Sequence, residues 1–426
     1  MASSRKSASK STSKRAKPSP RKKPSNRGRR APSPRMRMLR SGCLRLAVIL
    51  TLILVLAALG LYLERGNRIA DLPRHTGELP ARLARESETL LDGIVDPLRE
   101  LATSRRPAGQ TPAPETMHDG EAIAVYFAPG VPDDPHGIEA AFLSFLEQAQ
   151  TSIHAAFYDL DLAPAADVLI RKRRQGVDVR LVTDSDYRRR EPLQACIDAG
   201  IPVVFDERGA LMHNKFCIVD GEHVWTGSTN VTFNGMRRNN NNALRISAPA
   251  LARNYLVEFR EMFELRRFGP SSPSDTPHPE LRIDGIRVEN YFAPEDDVAR
   301  EIIEEINVAD RSIRFMAFVF TSQEIADAMA RRIPYDVTVE GIVETRSAGS
   351  AHSRDDYLRA AGAVVHLDAN PHTMHHKVIV IDARTVVTGS YNFSKSAEER
   401  NDENVLIIHS PLVARQFADE FLRIPR

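Results

Sequence analysis

A set of chemically reactive residue types recurs with identical spacing in two stretches of this chain. The first stretch runs from Met212 to Asn230 and the second from Met374 to Asn392, and both read H-x-K-x4-D-x6-G-S-x-N. Each stretch offers an imidazole, which can accept or donate a proton near neutral pH, and a lysine cation two residues later. Together with a serine hydroxyl and an asparagine amide, these groups suit chemistry on an anionic centre such as a phosphate.

The spacing also has a structural meaning. Side chains alternate between faces along a β-strand, so a histidine and a lysine two residues apart point the same way. Apolar residues such as Phe216 and Val378 follow each lysine and predict that the strand continues as buried sheet. The Gly-Ser-x-Asn turn that follows can return a hydroxyl and an amide to the histidine face.

We assign the functional groups from these two motifs. The catalytic set is His213, Lys215, Asp220, His375, Lys377 and Asp382, and the phosphate-binding set is Ser228, Asn230, Ser390 and Asn392. Within the catalytic set, the two aspartates are expected to anchor local structure rather than to touch the phosphate.

Other interpretations of these residues explain less. A single His-x-Lys pair or a single Gly-Ser-x-Asn turn usually has no functional meaning. Six positions that match in two copies indicate a functional site. His372, His375 and His376 could suggest zinc, yet three clustered histidines do not by themselves make a four-ligand site, and zinc leaves Lys377 unexplained. The sequence therefore predicts no metal and no cofactor.

The motifs occupy equivalent places in an internal repeat. Tyr-Phe-Ala-Pro at residues 126–129 recurs at 291–294, an offset of 165 residues, close to the 162 residues between His213 and His375. Each copy leads into an amphipathic helix, a strand, a second helix and a further apolar strand. This alternation predicts an α/β fold with helices on the faces of a sheet, and the repeat predicts two similar lobes around a pseudo-twofold axis.

Composition and charge limit the class of protein. The chain has 426 residues, of which 42% are hydrophobic and 27% charged, as in globular proteins. Three cysteines exclude a disulfide scaffold and a four-cysteine metal site. Residues 1–45 carry sixteen Lys or Arg and no acidic residue, which leaves 42 basic against 56 acidic residues, a net charge of −14, in the rest. The body as a whole therefore does not match nucleic acid electrostatically, and phosphate contacts must come from locally placed cations.

An uncharged run of eighteen residues, Leu46 to Leu63, follows the basic tail. As a helix it would be roughly 27 Å long, at about 1.5 Å per residue, which is enough for a bilayer core. Seven arginines at 26–45 against four at 64–83 predict a cytoplasmic N-terminus and an extracytoplasmic body, periplasmic in a bacterium. A cleaved signal peptide and a buried core helix are the alternatives; the long basic region favours an uncleaved single-pass anchor.

Proline-rich linkers and shifts in composition bound six predicted segments. These are a basic disordered tail at 1–45, a transmembrane anchor at 46–63, a stalk helix and linker at 64–119, a first lobe at 120–268, a linker at 269–279 and a second lobe at 280–426.

Both repeats, roughly residues 120–426, resemble the phospholipase D superfamily of HKD phosphodiesterases. The second copy, Gly-Ser-Tyr-Asn-Phe-Ser-Lys-Ser-Ala-Glu-Glu-Arg-Asn-Asp-Glu-Asn at 389–404, is similar to the small bacterial nucleases. The resemblance implies two lobes, each a mixed β-sheet flanked by helices, and one metal-free active site built from both motifs at their interface. It implies that one histidine attacks phosphorus to form a phosphohistidine, while the other protonates the leaving alcohol and then activates water.

The resemblance also implies roles for individual residues. By the family's usual order, His213 is the nucleophile and His375 the general acid and base. Both lysines and both asparagines then hold the non-bridging oxygens of the phosphate. One chain supplies both motifs, so the active site requires no oligomer.

The two copies differ at one supporting position. Glu403 lies eleven residues beyond Asn392, and in the nuclease branch a glutamate there supports a catalytic histidine. The same offset from Asn230 gives Asn241, so only one of the two positions offers a carboxylate. An asparagine can hold a ring nitrogen but cannot stabilise an imidazolium as a carboxylate does, so the sequence leaves the order of the two histidines open.

The substrate class is open at this stage. We expect hydrolysis of a phosphodiester in a phospholipid headgroup or in nucleic acid: the short lobes and the nuclease-like motif favour nucleic acid, and a membrane anchor keeps lipid close at hand. A cardiolipin synthase-like phosphatidyl transferase is an alternative, although such synthases usually carry two N-terminal spans. A non-catalytic phosphate-binding or scaffold protein is another alternative, which the intact His213 and His375 disfavour.

Overall fold

A computed structural model describes residues 122–130 and 134–426 of the chain. The predicted basic tail, membrane anchor and stalk, which together span residues 1–119, lie outside these described residues. Within the described ranges, no helix combines the length and the apolar character that crossing a bilayer requires. The structure therefore leaves the predicted span at 46–63 untested.

The first lobe is a seven-stranded mixed sheet flanked by helices. Its strands are β1 (Ile123–Ala128), β2 (Ser152–Phe157), β3 (Asp178–Thr183), β4 (Val203–Phe205), β5 (Lys215–Val219), β6 (His223–Gly227) and β7 (Asn241–Ser247). Its helices are α1 (Ile138–Glu147), α2 (Ala163–Arg174), α3 (Glu191–Asp198), α4 (Phe233–Arg237) and α5 (Pro249–Phe263). The strand order is β1-β7-β6-β5-β2-β3-β4; β2, β3 and β4 pair in parallel, and the other pairs are antiparallel.

The second lobe repeats this arrangement with one additional strand. Its strands are β8 (Glu280–Ile283), β9 (Ile286–Ala293), β10 (Ser312–Ala317), β11 (Thr338–Val343), β12 (Val364–Leu367), β13 (Lys377–Ile381), β14 (Thr385–Gly389) and β15 (Glu403–His409). Its helices are α6 (Val298–Asn307), α7 (Gln323–Arg332), α8 (Asp355–Ala361), α9 (Lys395–Glu399) and α10 (Pro411–Arg423). The order is β12-β11-β10-β13-β14-β15-β9-β8, and β8, which pairs with β9, is the strand that the repeat did not predict.

The apolar spacing explains why these helices cover the sheets. In α1, Ile138, Phe142 and Phe145 are buried, which places them on one face at helical periodicity. In α6, the equivalent face buries Val298 and Ile302. The predicted pair of mixed-sheet lobes flanked by helices is thus confirmed.

The lobes share part of their apolar core. One core fills each lobe, and a third spans both. The shared core includes Tyr255 and Phe259 of α5 in the first lobe and Phe417 and Phe421 of α10 in the second. The two lobes accordingly belong to one compact unit.

The glycine of each Gly-Ser-x-Asn turn is required by the close approach of a neighbouring strand. A Cβ at Gly227 would lie 2.5 Å from the carbonyl oxygen of Asn242 on β7, and Gly389 stands in the same relation to Asn404 on β15. With glycine there, the backbone N–H of Ser228 donates to the Asn242 carbonyl at 3.0 Å. This contact holds the turn beside the strand that carries the supporting residues of the site.

Candidate active site

The two His-x-Lys pairs lie at the starts of equivalent strands. Lys215 is the first residue of β5, and Lys377 is the first residue of β13. The residue between each histidine and lysine faces away from the site, as strand alternation predicts. Asn214 donates from Nδ2 to Oε1 of Glu258 at 3.1 Å, and His376 lies 3.2 Å from a glutamate of α10.

Backbone hydrogen bonds between the lobes bring the two motifs together. The N–H of His213 donates to the carbonyl of Asp402 at 3.0 Å, and the N–H of His375 donates to the carbonyl of Asn240 at 2.9 Å. The two contacts are reciprocal, each joining the motif of one lobe to the segment just before the last strand of the other. Both histidines and both lysines therefore face one site at the lobe interface.

His213 is held by the carboxylate of the other lobe. Its Nδ1 lies 2.7 Å from Oε2 of Glu403, a fully buried residue of β15. Ser390 and Asn401 donate to the same carboxylate at 2.6 and 3.1 Å. A carboxylate partner accepts the Nδ1 proton, so Nε2 carries the lone pair and is the reactive atom.

His375 has neutral partners instead, and they come from the first lobe. Its Nδ1 lies 3.0 Å from the backbone carbonyl of Ser228 and 2.9 Å from Oδ1 of Asn241. A backbone carbonyl can only accept, so Nδ1 carries the proton and Nε2 is again the reactive atom. Glu403 and Asn241 thus each support the histidine of the opposite lobe, and the histidine with the carboxylate is His213.

An aromatic ring packs against each histidine and lysine. The ring of Tyr158 lies 4.8 Å from the ring of His213 and 4.7 Å from Nζ of Lys215. The ring of Phe318 lies 4.9 Å from His375 and 5.0 Å from Nζ of the second lysine. Each lysine also donates to the backbone carbonyl of its own motif histidine, at 2.6 Å in the first lobe and 2.7 Å in the second.

Burial makes the positive charges of the site costly. Burial lowers the pKa of Lys215 to about 7, although Glu403 opposes the change. The pKa of Lys377 lies well below its usual value because of burial and the neighbouring Lys215. Burial likewise lowers the pKa of His213 to about 4 and that of His375 well below its usual range. Glu403 is the carboxylate beside these four groups, and a bound anion would further stabilise the cationic form of each.

Two buried amides of the site have unused capacity for hydrogen bonding. Oδ1 of Asn230 and Oδ1 of Asn392 are buried, and neither has a partner among the described residues. Rotation of either amide by half a turn exchanges its oxygen and its NH2 group, so each can offer a donor. The predicted phosphate-binding asparagines are thus the groups of the turns that remain open to a ligand.

The sequence assigned the serines of the two turns to phosphate binding, but their hydroxyls contact the residues that support the histidines. Ser228 donates to Oδ1 of Asn241 at 3.0 Å, and Ser390 donates to Oε2 of Glu403 at 2.6 Å. Each hydroxyl also accepts a backbone N–H from the strand beside it, at 3.0 Å in both lobes. Because both hydroxyls are engaged, they position the supporting residues and do not point to a phosphate contact.

The two motif aspartates lie away from the reactive groups, at the other ends of β5 and β13. Asp220 accepts the backbone N–H groups of residues 150–152 at 2.7–3.1 Å, and Asp382 accepts those of residues 310–312 at 2.7–2.8 Å. We grouped both with the catalytic set but expected them to anchor local structure rather than to touch the phosphate, and these contacts agree with that expectation. They anchor the turn that ends each motif strand.

The histidine cluster considered for zinc does not converge. His375 faces the site, whereas His376 faces Glu420 behind the sheet and accepts from Asn242 at 3.0 Å. Within the described ranges, the group of side chains that could hold a metal lies elsewhere, between β9, β15 and α6. It consists of Glu289, Glu305 and His409.

Sequence reasoning missed the aromatic partners Tyr158 and Phe318. Tyr158 directly follows β2 and Phe318 directly follows β10, and these two strands are equivalent in the repeat. That equivalence was the signal that could have identified them.

Comparisons with known proteins point to one family. The model of the family "Cardiolipin synthase, PLD-like domain" matches the chain twice, at residues 142–263 and 302–424. A phospholipase D of Rickettsia conorii is 30% identical over 136 residues, which are 32% of this chain and 68% of that protein. The mitochondrial cardiolipin hydrolase of Xenopus laevis is 31% identical over 129 residues, 30% of this chain and 61% of that protein.

A similar fold is present in a solved structure. The phosphatidylserine synthase of Haemophilus influenzae Rd KW20 is 15% identical, with a TM-score of 0.53. The match covers 70% of this chain and 85% of that one. At this identity the likeness concerns the two-lobed fold alone.

Proposed function

This chain belongs to the phospholipase D-like family, and on that premise we propose that it hydrolyses a phosphodiester through a phosphohistidine intermediate. One observation carries the proposal: His213 and His375 face one site, and each has its Nδ1 bonded so that Nε2 is the reactive atom. Two histidines of this kind divide the hydrolysis into two displacements.

In the first displacement, Nε2 of His213 attacks phosphorus and the bond from phosphorus to the leaving oxygen breaks. The leaving oxygen takes a proton from Nε2 of His375. Burial holds the pKa of His375 well below its usual range, and the negative charge of a bound diester favours the protonated ring. Lys215, Lys377 and the two open asparagines hold the non-bridging oxygens, where charge must be stabilised.

In the second displacement, His375 acts as a base. Its Nε2, which lost its proton to the leaving alcohol, now takes one from a water molecule. The resulting hydroxide attacks phosphorus, and the bond between phosphorus and His213 breaks. The products are an alcohol and a phosphomonoester, and both rings return to their starting states.

The carboxylate of Glu403 supports the assignment of His213 as the nucleophile. When Nε2 bonds to phosphorus, positive charge develops on the ring, and a carboxylate 2.7 Å from Nδ1 stabilises that charge. His375 has only neutral partners at Nδ1, so its proton is more readily given up, as a general acid requires. This allocation agrees with the family's usual order.

The substrate is a phosphodiester of a phospholipid or of nucleic acid, and transfer to a second alcohol in place of water is the alternative outcome of the same chemistry. The relatives named phospholipase D and cardiolipin hydrolase support a lipid substrate. We also propose that residues 46–63 anchor the chain in a membrane with its N-terminus in the cytoplasm, because an apolar run follows a basic tail.

The decisive test is activity in the absence of divalent metal. We expect residues 69–426 to hydrolyse bis(p-nitrophenyl) phosphate at the same rate with and without excess EDTA, because lysines and histidines supply the charges and protons. Nitrophenolate absorbance measures the rate. Activity restored only by an added divalent ion would overturn the mechanism.

The same preparation tests the anchor. The chain trimmed to 69–426 should partition into the soluble fraction, while the full chain stays with membranes until detergent is added. A trimmed chain that remains in the membrane fraction would show that the anchor lies elsewhere or is incomplete.

A further inference from the structure

Three side chains of metal-ligating types meet in the second lobe, away from the active site. Nε2 of His409 lies 2.7 Å from Oε1 of Glu289 and 3.9 Å from Oε1 of Glu305. The three ligand atoms all lie within 4.8 Å of one another. His409 ends β15, Glu289 is on the neighbouring strand β9, and Glu305 is on α6, which packs on β9. The cluster therefore spans the contact between a helix and the sheet.

The separations in this cluster are close to those around a single metal ion. Nitrogen and oxygen ligands at about 2.0–2.2 Å from a tetrahedral zinc ion lie roughly 3.4 Å from each other. The 2.7 Å separation is shorter than this value and the 3.9 Å separation is longer, so small side-chain rotations bring both to it. One imidazole and two carboxylates are ligands that zinc accepts, with a water molecule in the fourth position.

Neighbouring hydroxyl groups orient two of the three ligands. The hydroxyl of Tyr291 donates to Oε2 of Glu289 at 2.7 Å, which leaves Oε1 directed at His409. Oγ1 of Thr385 lies 3.2 Å from Nδ1 of His409. When Nδ1 carries the proton and donates to that hydroxyl, Nε2 presents its lone pair to a metal.

Glu305 is the least satisfied member of the cluster. Its side chain is only 17% exposed, and its carboxylate receives no hydrogen bond from any described residue. Its ion-pair contact within the described ranges is with His409, at 3.9 Å. A largely buried carboxylate without hydrogen bonds is costly unless a cation binds it.

Arg287 is the cation that already approaches the cluster. Its guanidinium lies 3.3 Å from Oε1 of Glu289 and 3.4 Å from Nε2 of His409. The same guanidinium donates to Oε2 of Glu280 on β8 at 3.2 Å. One arginine supplies one positive charge against the two carboxylates of the cluster. Because its side chain is 38% exposed, it can turn toward Glu280 when a divalent ion enters.

The strand register identifies the equivalent place in the first lobe. Ala128 pairs with Asn241 and Ala293 pairs with Glu403, so β1 matches β9 and β7 matches β15. Helices α1 and α6 match residue by residue, because each has ten residues and the next strand begins at the same distance from each.

The first lobe offers no metal ligand at that place. The counterparts of Glu289, Glu305 and His409 are, in order, Ala124, Phe145 and Ser247. Ala124 and Phe145 are buried, and the ring of Phe145 packs against Trp225. The fold therefore does not require ionisable groups here, and their presence in the second lobe alone points to a ligand.

We propose that Glu289, Glu305 and His409 bind a zinc ion that holds α6 against β9 and β15. His409 and Glu403 lie at opposite ends of β15, about 20 Å apart at roughly 3.3 Å per residue. The ion is therefore remote from the reacting phosphate and stabilises the fold. This site goes beyond the proposed function, and the metal-free chemistry at His213 and His375 does not depend on it.

Metal binding by the full chain in detergent tests the site. The protein is first treated with EDTA, which is then removed, and Zn²⁺ binding is measured by isothermal titration calorimetry. We expect Glu305→Gln and His409→Gln each to weaken the binding by more than about 100-fold, because even the outer-shell partners of metal ligands are worth about 10–100-fold. Visible absorption of Co²⁺, which is much stronger for a four-coordinate ion than for the hydrated ion, gives a second readout of the same site.

His366→Gln is the matched control for loss of a histidine. Nε2 of His366 lies 3.3 Å from Oε1 of Glu340, but within the described ranges no third ligand completes a group there. This variant should therefore bind Zn²⁺ as tightly as the wild-type protein.

Arg287→Gln separates a metal site from a network of ion pairs. If the cluster binds Zn²⁺, removing the competing guanidinium should tighten the binding. Unchanged or weaker Zn²⁺ binding in Arg287→Gln would show that the arginine is the cation that this cluster needs, and would overturn the site.

Thermal unfolding shows whether the ligand variants fold. Since the Glu305 carboxylate receives no hydrogen bond from the described residues, Glu305→Gln should unfold at the wild-type temperature without metal. Added Zn²⁺ should raise the unfolding temperature of the wild-type protein and of His366→Gln, but not that of Glu305→Gln.

The outcomes are independent of the proposed function. A wild-type chain that binds neither Zn²⁺ nor Co²⁺, or ligand variants that bind Zn²⁺ as tightly as wild type, would overturn the metal site. Hydrolysis of bis(p-nitrophenyl) phosphate below the unfolding temperature should be the same in Glu305→Gln as in wild type. A wild-type chain that binds Zn²⁺ but hydrolyses no phosphodiester would overturn the proposed function and leave the metal site standing.

Discussion

At the scale of residues, the site combines two cationic pairs with one carboxylate. Glu403 is fully buried, and although burial disfavours its charged form, His213 and the neighbouring Lys215 lower its pKa. Among the described residues no carboxylate forms an ion pair with Lys377, and burial and Lys215 lower its pKa although Glu403 opposes them. The site thus holds more buried cationic groups than carboxylates, and a phosphodiester anion would balance them.

The asymmetry between Glu403 and Asn241 predicts unequal defects in the two histidines. His213→Asn should abolish turnover, because no bond to phosphorus can form. His375→Asn should still attack bis(p-nitrophenyl) phosphate, because nitrophenolate leaves with little help from an acid, and it should lose about 10²–10⁴-fold on an ordinary ester. Without a base to activate water, the His375 variant should accumulate a covalent adduct on His213. The mass of the intact protein, followed by peptide mapping, measures this adduct.

The control for these variants is His352→Asn, an exposed histidine outside the site, which should retain wild-type kinetics. An adduct on His375 in the His213 variant, with none on His213 in the His375 variant, would reverse the assignment. Glu403 would then support His213 as the general acid.

At the scale of elements, each motif strand has the reactive groups at its start and an anchoring aspartate directly after its end. Asp220 adopts a left-handed backbone conformation (φ 54°) in the turn from β5 to β6. Its carboxylate accepts backbone N–H groups at the start of β2, the neighbouring strand. Burial opposes ionisation of Asp220, but these hydrogen bonds outweigh it and lower its pKa.

We predict that Asp220→Asn affects stability rather than chemistry. Asparagine tolerates the same backbone conformation but loses charge-assisted hydrogen bonds, which should cost about 1–3 kcal/mol in free energy of unfolding. Because the folded-state pKa of Asp220 is depressed, its contribution is complete above the unfolded value near ~4 and declines below it. Urea unfolding at several pH values should show the difference from wild type shrinking in acid. A large loss of kcat in the folded variant would instead give Asp220 a direct part in the chemistry.

Much of the fold and part of the site follow from local sequence patterns. The repeat predicts both lobes, and strand alternation predicts that His213 and Lys215 share a face while Asn214 turns away. The pairing of Glu403 with His213 could not be predicted, because the offset from Asn392 fixes a place on β15 but not which lobe packs across it. Strand β8 was missed because the repeat has no counterpart for it.

At the scale of the molecule, each lobe completes the site of the other. Glu403 on β15 holds the histidine of the first lobe, and Asn241 on β7 holds that of the second. The apolar core between α5 and α10 holds the two lobes in the arrangement that these contacts need, because it buries side chains of both lobes together. Catalysis and the packing of the interface are therefore coupled.

This coupling predicts that neither lobe works alone. Residues 120–268 and 280–426, expressed separately, should each be nearly inactive on bis(p-nitrophenyl) phosphate, because each holds one histidine and lacks that histidine's partner. Each should also expose the apolar face of α5 or α10 and associate in size-exclusion chromatography. Co-expression of the two as separate chains should restore activity, which serves as the control for folding of the fragments. A monomeric single lobe with wild-type activity would contradict the shared site, whereas an active lobe that dimerises would not, since two copies can rebuild a site with two histidines.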